Sequence, residues 1–277
     1  NYQDEWDALQ AIYDELEPQS GTISLTSAPV TLEVPETFDF YDAADGQTIL
    51  EDLWGNPPDD TVSGMLFPAG MTPLDEQSWG VVVTYEKTGY VTDDDAATTD
   101  FDDLLKDMKK SMIDANSERQ RLGYPTIELV GWAAEPDYDA DTHKLSWAKD
   151  LIFDGDQDYH TLNYDMRVLG RHGVLSMNFV AGVDSLAEVE AAAPAVLAMP
   201  SFDAGSRYED YEAGDLKSGY GVAALVAGGT GAVLLKKTGL IAILLIFLKK
   251  GWIVIVGVGA WLFRKFRKSD QDVPKGD

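Results

Sequence analysis

The sequence contains no cysteine and only three histidines among its 277 residues. Disulfide bonds and thiolate metal sites are therefore excluded. Three histidines are also few for a metal site that is built from several histidine ligands. Basic residues are also scarce, with 21 Lys and Arg against 48 Asp and Glu and a net charge of −27. Because nucleic-acid phosphates attract cationic surfaces, we expect no nucleic-acid partner. The acidity suits a salty medium or a basic protein partner.

Long apolar runs are missing from the first 218 residues, but three of them follow near the C-terminus. They cover residues 219–235, 238–248 and 251–263. Cations separate and follow them: Lys236, Lys237, Lys249, Lys250, Arg264, Lys265, Arg267 and Lys268. As a helix the first run would extend about 25 Å, close to the bilayer core of about 30 Å. We predict a membrane anchor over 219–268, with one span at 219–235 and two further apolar helices at the inner surface.

Other arrangements of these runs stay open. The second and third runs together are long enough to cross, but Lys249 and Lys250 would then lie at mid-membrane, each costing about 2.5–3.5 kcal/mol. A two-span hairpin would return the last basic cluster to the outside, against the positive-inside rule. A buried helical hairpin of a soluble protein would also explain the apolar pattern.

The distribution of charge predicts the orientation of the anchor. From residue 219 onward there are nine Lys or Arg against three Asp, a net charge of +6. The preceding 218 residues have twelve against forty-five, a net charge of −33. By the positive-inside rule the basic tail, from Lys236 and Lys237 onward, faces the cytoplasm. With a signal peptide removed before Asn1, the acidic domain would lie in the periplasm and the anchor in the bacterial inner membrane.

The first apolar run is rich in small residues at a spacing of four. Ala224, Ala227, Gly228, Gly231 and Ala232 would share one side of a helix. Small side chains allow two helices to approach closely in lipid. The pattern therefore predicts self-association into a homo-oligomer through membrane helices.

For the residues before the anchor, the sequence pattern predicts an α+β domain over residues 1–200 and an acidic linker at 201–218. After the anchor, we predict a polar tail at 269–277. Helical periodicity with stop signals predicts helices over 1–16, 45–54, 101–122 and 185–197. Alternating residues predict an antiparallel β-meander, packed on helices, with strands over 127–134, 144–153, 159–169 and 173–181.

The alternation also predicts the register of this meander. Val168 is expected opposite Leu175 in the last hairpin and opposite Leu145 in the hairpin before it. One face is then apolar and packs on helices. The other face carries a row of polar side chains: Asp150, Asn163, Asp165, Arg167, Ser176 and Asn178. We expect this polar face to be solvated or to contact a partner.

No pattern of residues predicts a catalytic site, a metal site or a cofactor. The sequence lacks GxSxG, HExxH and a phosphate-binding glycine loop. His160 is expected about 30 Å from His143 and His172 along the strands, which excludes a three-histidine zinc site. A two-histidine site at His143 and His172 stays open. The aspartates of 137–141 lack the closing glutamate of an EF-hand.

Several segments resemble a known family. GWAAEPDYDADTHKLSWAKDL at 131–151, LNYDMRVLGRHGVLSMNFVAG at 162–182, GYGVAALVAGG at 219–229 and EDLWGNPP at 51–58 are similar to DUF2167. This is a bacterial family of predicted membrane-anchored proteins without an established function. The resemblance implies a signal peptide and a periplasmic domain, and it transfers no catalytic residue.

Two classes of function stay open. The first is a structural or scaffolding protein, held in the lipid bilayer and associating with copies of itself through membrane helices. The alternative is a periplasmic ligand-binding or hydrolytic domain that uses the polar sheet face. Because no catalytic pattern is present, we expect the first and do not expect an enzyme.

Overall fold

The protein is described from a computed structural model, which defines residues 2–56, 60–75, 78–121, 125–158 and 160–228. The α-helices in these ranges are α1 Tyr2–Tyr13, α2 Ala43–Thr48, α3 Phe101–Arg121, α4 Leu186–Ala198 and α5 Val222–Val226. The strands are β1 Gly21–Ser24, β2 Val30–Val34, β3 Phe38–Tyr41, β4 Val62–Pro68, β5 Gly80–Glu86, β6 Tyr90–Thr92, β7 Ile127–Asp139, β8 Lys144–Phe153, β9 His160–Leu169, β10 Val174–Gly182, β11 Pro200–Phe202 and β12 Lys217–Gly221. A π-helical turn, Ile49–Leu53, continues α2.

Seven strands form one antiparallel sheet in the order β3-β4-β5-β10-β9-β8-β7. The predicted meander is the β7–β10 half of this sheet, and β5, β4 and β3 extend it beyond β10. A second antiparallel sheet has the order β1-β2-β11, and β12 pairs in parallel with β6. The predicted α+β class, with an antiparallel sheet packed on helices, is confirmed.

The predicted register is confirmed in the last hairpin of the meander and wrong in the hairpin before it. Val168 lies opposite Leu175 as expected. Arg167, not Val168, lies opposite Leu145, so β8 is shifted by one residue. Both faces of β8 carry buried apolar side chains, and alternation therefore does not distinguish the two registers. The shift moves every side chain of β8 to the opposite face of the sheet.

Face A is the side of the large sheet that carries Met166, Met177 and Phe179. The β1-β2-β11 sheet and helix α4 cover it, and their buried side chains join one apolar core with those of β5, β9 and β10. The predicted packing of an apolar sheet face on helical structure is therefore confirmed for face A.

Face B is the opposite side, which carries Asn163, Asp165 and Arg167. It was expected to be solvated or partner-facing, but these three residues are only 2, 1 and 8% exposed. The π-helical turn, α3 and α5 contribute to three apolar clusters on this face. The expected exposure of face B is wrong because the segments that cover this face lie outside the meander in the sequence. The alternation of residues within the meander strands contains no information about those segments.

Residues 200–228 continue the domain. β11 pairs with β2, β12 pairs with β6, and α5 buries Val222, Leu225 and Val226 in the core of face B. The structure therefore shows no free linker over 201–218. The expectation of one continuous helix over 219–235 is also wrong at its start, because β12 includes Gly221 and α5 ends at Val226. These apolar residues find an apolar surface on the domain itself.

Within the ranges given above, no helix combines the length and the apolar character needed to cross a membrane. The remaining parts of the predicted anchor lie outside the described residues. They are Gly231, Ala232, Lys236, Lys237, the runs 238–248 and 251–263 with Lys249 and Lys250 between them, and Arg264, Lys265, Arg267 and Lys268. The predicted polar tail at 269–277 also lies outside the described residues.

Candidate functional site

The polar side chains of face B form one patch across four adjacent strands, which we call the polar centre. Its members are Thr84 on β5, Ser176 and Asn178 on β10, Asn163, Asp165 and Arg167 on β9, and Lys149 on β8. The register aligns them in rows, because directly opposite residues of an antiparallel pair share a face. One row joins Thr84, Ser176 and Arg167, and a second joins Asn178 and Asp165.

Asp165 is the centre of this network. Its Oδ2 lies 2.9 Å from Nζ of Lys149, and its Oδ1 accepts hydrogen bonds from Nη2 of Arg167 at 3.0 Å and from Nδ2 of Asn178 at 2.8 Å. The side chain of Asp165 is 1% exposed, against 19% for Lys149. A buried carboxylate is tolerated only when it is paired and hydrogen-bonded in this way.

Burial and charge act on Asp165 in opposite directions. Burial alone would raise the pKa of the carboxyl group, because it disfavours the charged form. Lys149, Arg167 and the hydrogen bond from Asn178 outweigh burial, and the pKa of Asp165 is lowered. Asp165 is therefore ionised at neutral pH and holds its two cations in place.

Amide and aromatic groups complete the polar centre. Asn163 and Asn178 exchange side-chain hydrogen bonds at 3.2 and 3.3 Å. The indole ring of Trp147 lies 5.1 Å from Cζ of Arg167 and 6.0 Å from Nζ of Lys149. The ring therefore offers its π-face to both cations.

The structure brings together Asn163, Asp165, Arg167, Ser176 and Asn178, five of the six residues predicted for the polar face. Their common face was correctly predicted from alternation, although their exposure was not.

Asp150 does not belong to this group. It pairs with Leu162 on face A, where its Oδ1 lies 2.7 Å from Nδ1 of His160. Lys149 and Trp147 were missed for the same reason: the predicted register of β8 was one residue out, which assigned each side chain to the wrong face.

A second region joins the C-terminal segment to the domain, and we call it the junction: β12, α5 and the loop 93–95 after β6. Asp95 accepts backbone hydrogen bonds from Val222 at 2.9 Å and from Ala223 at 3.2 Å. Gly221 lies so close to this carboxylate that a Cβ would collide with it. No pattern in the sequence predicted this contact, which spans more than 120 residues.

Closely packed aromatic rings support the junction. The ring centroids of Tyr211 and Tyr90 are 4.2 Å apart, those of Tyr90 and Tyr208 are 4.4 Å apart, and those of Tyr208 and His143 are 4.1 Å apart. The Tyr208 hydroxyl donates to the carbonyl of Val91 at 3.0 Å, and burial raises the pKa of this phenol. The rings tie together β6, the chain before β12 and the turn before β8.

An ion pair holds the chain just before β12. Nε and Nη2 of Arg171 donate to both carboxylate oxygens of Asp215, at 2.7 and 3.1 Å. Glu212 lies 3.3 Å from the same guanidinium. The hydrogen bond from Arg171 is the main cause that lowers the pKa of Asp215.

The small residues predicted to pack membrane helices are only partly described. Ala224 packs against the core of face B. Because α5 ends at Val226, Ala227 and Gly228 follow the helix, and Ala224 and Gly228 do not stack along one helix side. The packing role of Gly231 and Ala232 stays a prediction outside the described residues.

Histidine and carboxylate side chains are the candidate metal ligands of this cysteine-free chain. In the part of the chain that the structure describes, no group of three or more of them is arranged to hold a metal ion. His143 instead contacts Tyr208 and lies 3.2 Å from the hydroxyl of Tyr138 through Nδ1.

Fold and site together define an α+β domain with a buried ionic centre and a C-terminal segment folded onto it. The family model for DUF2167, a protein family of unknown function, matches residues 17–260. The chain therefore belongs to this family, and the resemblance read from the sequence is confirmed.

Other comparisons find only distant similarity. No curated protein matches the sequence. Cyanobacterial PsbP from Synechocystis sp. PCC 6803 has a TM-score of 0.36 and 12% identity, over 68% of this chain and 92% of its own. The Ran-binding protein Mog1p of Saccharomyces cerevisiae has a TM-score of 0.35 and 10% identity, over 68% and 96%. Since both TM-scores are below 0.5, neither similarity carries a functional argument.

Proposed function

We propose that this protein is a membrane-anchored structural protein of the bacterial inner membrane. Its acidic domain lies in the periplasm, its basic C-terminus lies in the cytoplasm, and copies of the chain associate through their membrane helices. One observation carries the proposal: the chain up to residue 228 is folded onto the domain, with Val222, Leu225 and Val226 buried. The apolar sequence that follows therefore starts at the domain surface, without a free linker.

This docking changes which run crosses the bilayer in the proposal. Only 229–235 remains of the first run after Gly228, and seven helical residues extend about 10 Å, against about 30 Å of hydrocarbon. Residues 238–263 extend about 39 Å as a helix and are long enough. Lys236 and Lys237 then lie at the outer surface, and the four cations within 264–268 lie at the cytoplasmic side, in keeping with the positive-inside rule.

The proposed span also gives a reason for self-association. It places Lys249 and Lys250 near mid-membrane, where each costs about 2.5–3.5 kcal/mol. Charged residues inside membranes usually face the interior of a helix bundle or a water-filled cavity. Association of several copies would turn these lysines away from lipid. Gly231 and Ala232 would then lie at the outer entrance of the bundle.

Topology is tested by single cysteines, since the chain has none of its own. Three variants of the full chain each carry one cysteine, at Ser201 (an exposed residue of β11), at Lys237 or at Ser269. Spheroplasts that contain each variant are treated with a membrane-impermeant maleimide. We expect labelling at positions 201 and 237 from outside, and at 269 only after permeabilisation. Labelling of position 269 from outside, or protection of position 201, would contradict the orientation. Protection of position 237 would contradict the shifted span.

Assembly is tested by the particle mass of the full chain in mild detergent. We expect an oligomer that dissociates when Lys249→Leu and Lys250→Leu are combined, because the drive to shield the charges is gone. Lys236→Leu with Lys237→Leu is the matched control and should leave the mass unchanged. A monomeric wild-type chain, or equal masses for both double variants, would rule out this basis for assembly.

A further inference from the structure

The polar centre contains buried hydrogen-bond donors without acceptors. Oγ of Ser176 and Nε1 of Trp147 have no hydrogen-bond partner, although these residues are only 3 and 1% exposed. Arg167 donates through Nη1 to the carbonyl of Met166 and through Nη2 to Asp165, which uses two of its five N–H groups. Buried polar groups in native proteins nearly always have a partner, so such a group calls for an explanation.

These donors are close together. Ser176 lies directly opposite Arg167 in the sheet, which brings their Cβ atoms within about 5 Å. The guanidinium of Arg167 lies 5.1 Å from the ring of Trp147. Thr161 also has an unpaired hydroxyl, but it lies six residues from Arg167 along β9, about 20 Å away. Thr161 is therefore not part of this group.

The charge of the polar centre is positive in an otherwise acidic protein. Lys149 and Arg167 carry two positive charges, and Asp165 carries the one negative charge between them. The next carboxylate on face B is Glu86, which is partly exposed at the end of β5 and lies opposite Val174. Asp150 is on face A. The polar centre therefore has one more cation than it has anions.

Water and an anion would satisfy these groups differently. A water molecule that accepts from Ser176 or Trp147 brings two further protons that need acceptors. Of the neighbouring acceptors, Oδ2 of Asp165 lacks a hydrogen bond, although it lies 2.9 Å from Nζ of Lys149, and could take one of these protons. Oδ1 of Asp165 already accepts from Arg167 and Asn178, and the amide oxygens of Asn163 and Asn178 accept from each other's amides. An anion only accepts, and it also balances the extra positive charge.

We propose that the polar centre binds a small oxyanion, a carboxylate or a phosphate, held by Arg167, Ser176 and the indole N–H of Trp147. Lys149 and Asp165 position Arg167 and add to the positive potential. The burial of these side chains limits the ligand to a few atoms, because no large substrate would fit without opening the domain. This inference goes beyond the proposed anchoring function and does not rest on it.

The test uses the full chain in detergent with 15N-labelled tryptophan. The indole resonance of Trp147 is assigned with Trp147→Phe, and the protein is titrated with sodium phosphate, acetate or chloride at matched ionic strength. We expect a saturable shift of the Trp147 resonance with phosphate or acetate, and the more effective salt identifies the chemistry of the ligand. No shift, or the same shift with all three salts, would overturn the proposal.

A pair of serine variants tests the location of the site. Ser176→Ala should weaken binding of the effective anion by about tenfold or more, the loss typical of one hydrogen bond to a charged group. Ser78→Ala is the matched control, because Oγ of Ser78 is also buried and unpaired but lies outside the polar centre. Unchanged affinity in Ser176→Ala, or equal losses in both variants, would show that the anion does not bind here.

Discussion

The two faces of the large sheet are formed by the same strands and are both buried, but they are held together differently. Face A packs apolar side chains from β2, β5, β9, β10 and α4 into one core. Face B has apolar clusters on its flanks and an ionic centre between them. Apolar contact is non-directional, whereas an ion pair needs particular atoms at a particular distance.

This difference explains the register of β8. In the observed register Lys149 lies on face B, where it contacts Asp165 at 2.9 Å. In the register expected from alternation, Lys149 would lie on face A, within the apolar core. Asp165 would then lose one of its two cations. We infer that the ionic centre selects the register, because the apolar residues on both faces of β8 accept either one.

The largest effect is expected from Asp165→Asn. It removes the charge between the partly buried Lys149 and the buried Arg167 and leaves both cations without their anion, which should cost about 3–5 kcal/mol of unfolding free energy. Asp150→Asn is the matched control on face A. Its carboxylate contacts only His160 among the interactions described above, and its loss should cost about 0–1 kcal/mol.

Urea unfolding of the full chain measures both variants of this pair. Equal losses for Asp165→Asn and Asp150→Asn would show that the ionic centre contributes no more than the partly exposed contact between Asp150 and His160. The two faces would then differ in amino-acid composition but not in how strongly a single charged residue contributes to stability.

Face A is tested by Met177→Ala, which leaves a cavity in a fully buried position. We expect a loss of about 3 kcal/mol. Met177→Leu keeps most of the volume and should cost less than about 1.5 kcal/mol. The same urea experiment applies, and a small loss for the alanine variant would mean that the core of face A collapses around the cavity.

The faces should also differ in their dependence on pH. The pKa of Asp165 is lowered from its ordinary value of 3.8 by its environment. Its ionised form therefore stabilises the folded state above that value, and this contribution is lost as the pH falls below 3.8 towards the folded pKa. The stability difference between wild type and Asp165→Asn should be constant near neutrality and narrow below pH 3.8.

The difference between wild type and Met177→Ala involves no titrating group. The difference in unfolding free energy between wild type and Met177→Ala should therefore not become smaller below pH 3.8. This variant is the control for general destabilisation by acid. Parallel behaviour of the two variants in unfolding measured from neutral to acidic pH would contradict the assignment to Asp165.

The smallest effect is expected at the junction. Asp95→Ala removes the acceptor of the Val222 and Ala223 amides and should cost about 1 kcal/mol, as the loss of a helix cap does. The effect should be local, with faster hydrogen exchange at these two amides and little change elsewhere. Asp94→Ala, at the exposed neighbouring position, is the control. Unchanged exchange in Asp95→Ala would mean that apolar packing alone holds α5.

Local features of the sequence predicted much of the fold. The helix predicted over 101–122 is α3, Phe101–Arg121, and three of the four meander strands, β8, β9 and β10, occur within one residue of their predicted bounds. The first strand, β7, extends to Asp139, beyond its predicted end at residue 134. Alternation along β9 and β10 predicted the register of the last hairpin, in which Val168 lies opposite Leu175. Helical periodicity, strand alternation and stop signals each involve residues close together in the chain, so they can be recognised in the sequence without knowledge of the tertiary structure.

The candidate site was predictable only in part, for a physical reason. Alternation along β9 and β10 grouped Asn163, Asp165 and Asn178 correctly, since one strand's pleat decides which residues share a face. Lys149 was missed because its face depends on how β8 pairs with β9. Asp95 carries no local signal at all, since its partners lie more than 120 residues away.

The sequence by itself determined the family, the α+β class, the charge asymmetry and the existence of an apolar C-terminal segment. The tertiary structure decided that face B is buried, which register β8 adopts, and that the start of the apolar segment packs on the domain. An apolar run favours any environment without water, and lipid and a protein core are equivalent in that respect. Val222, Leu225 and Val226 pack on the domain because the fold presents an apolar surface there, which hydropathy along the chain does not report.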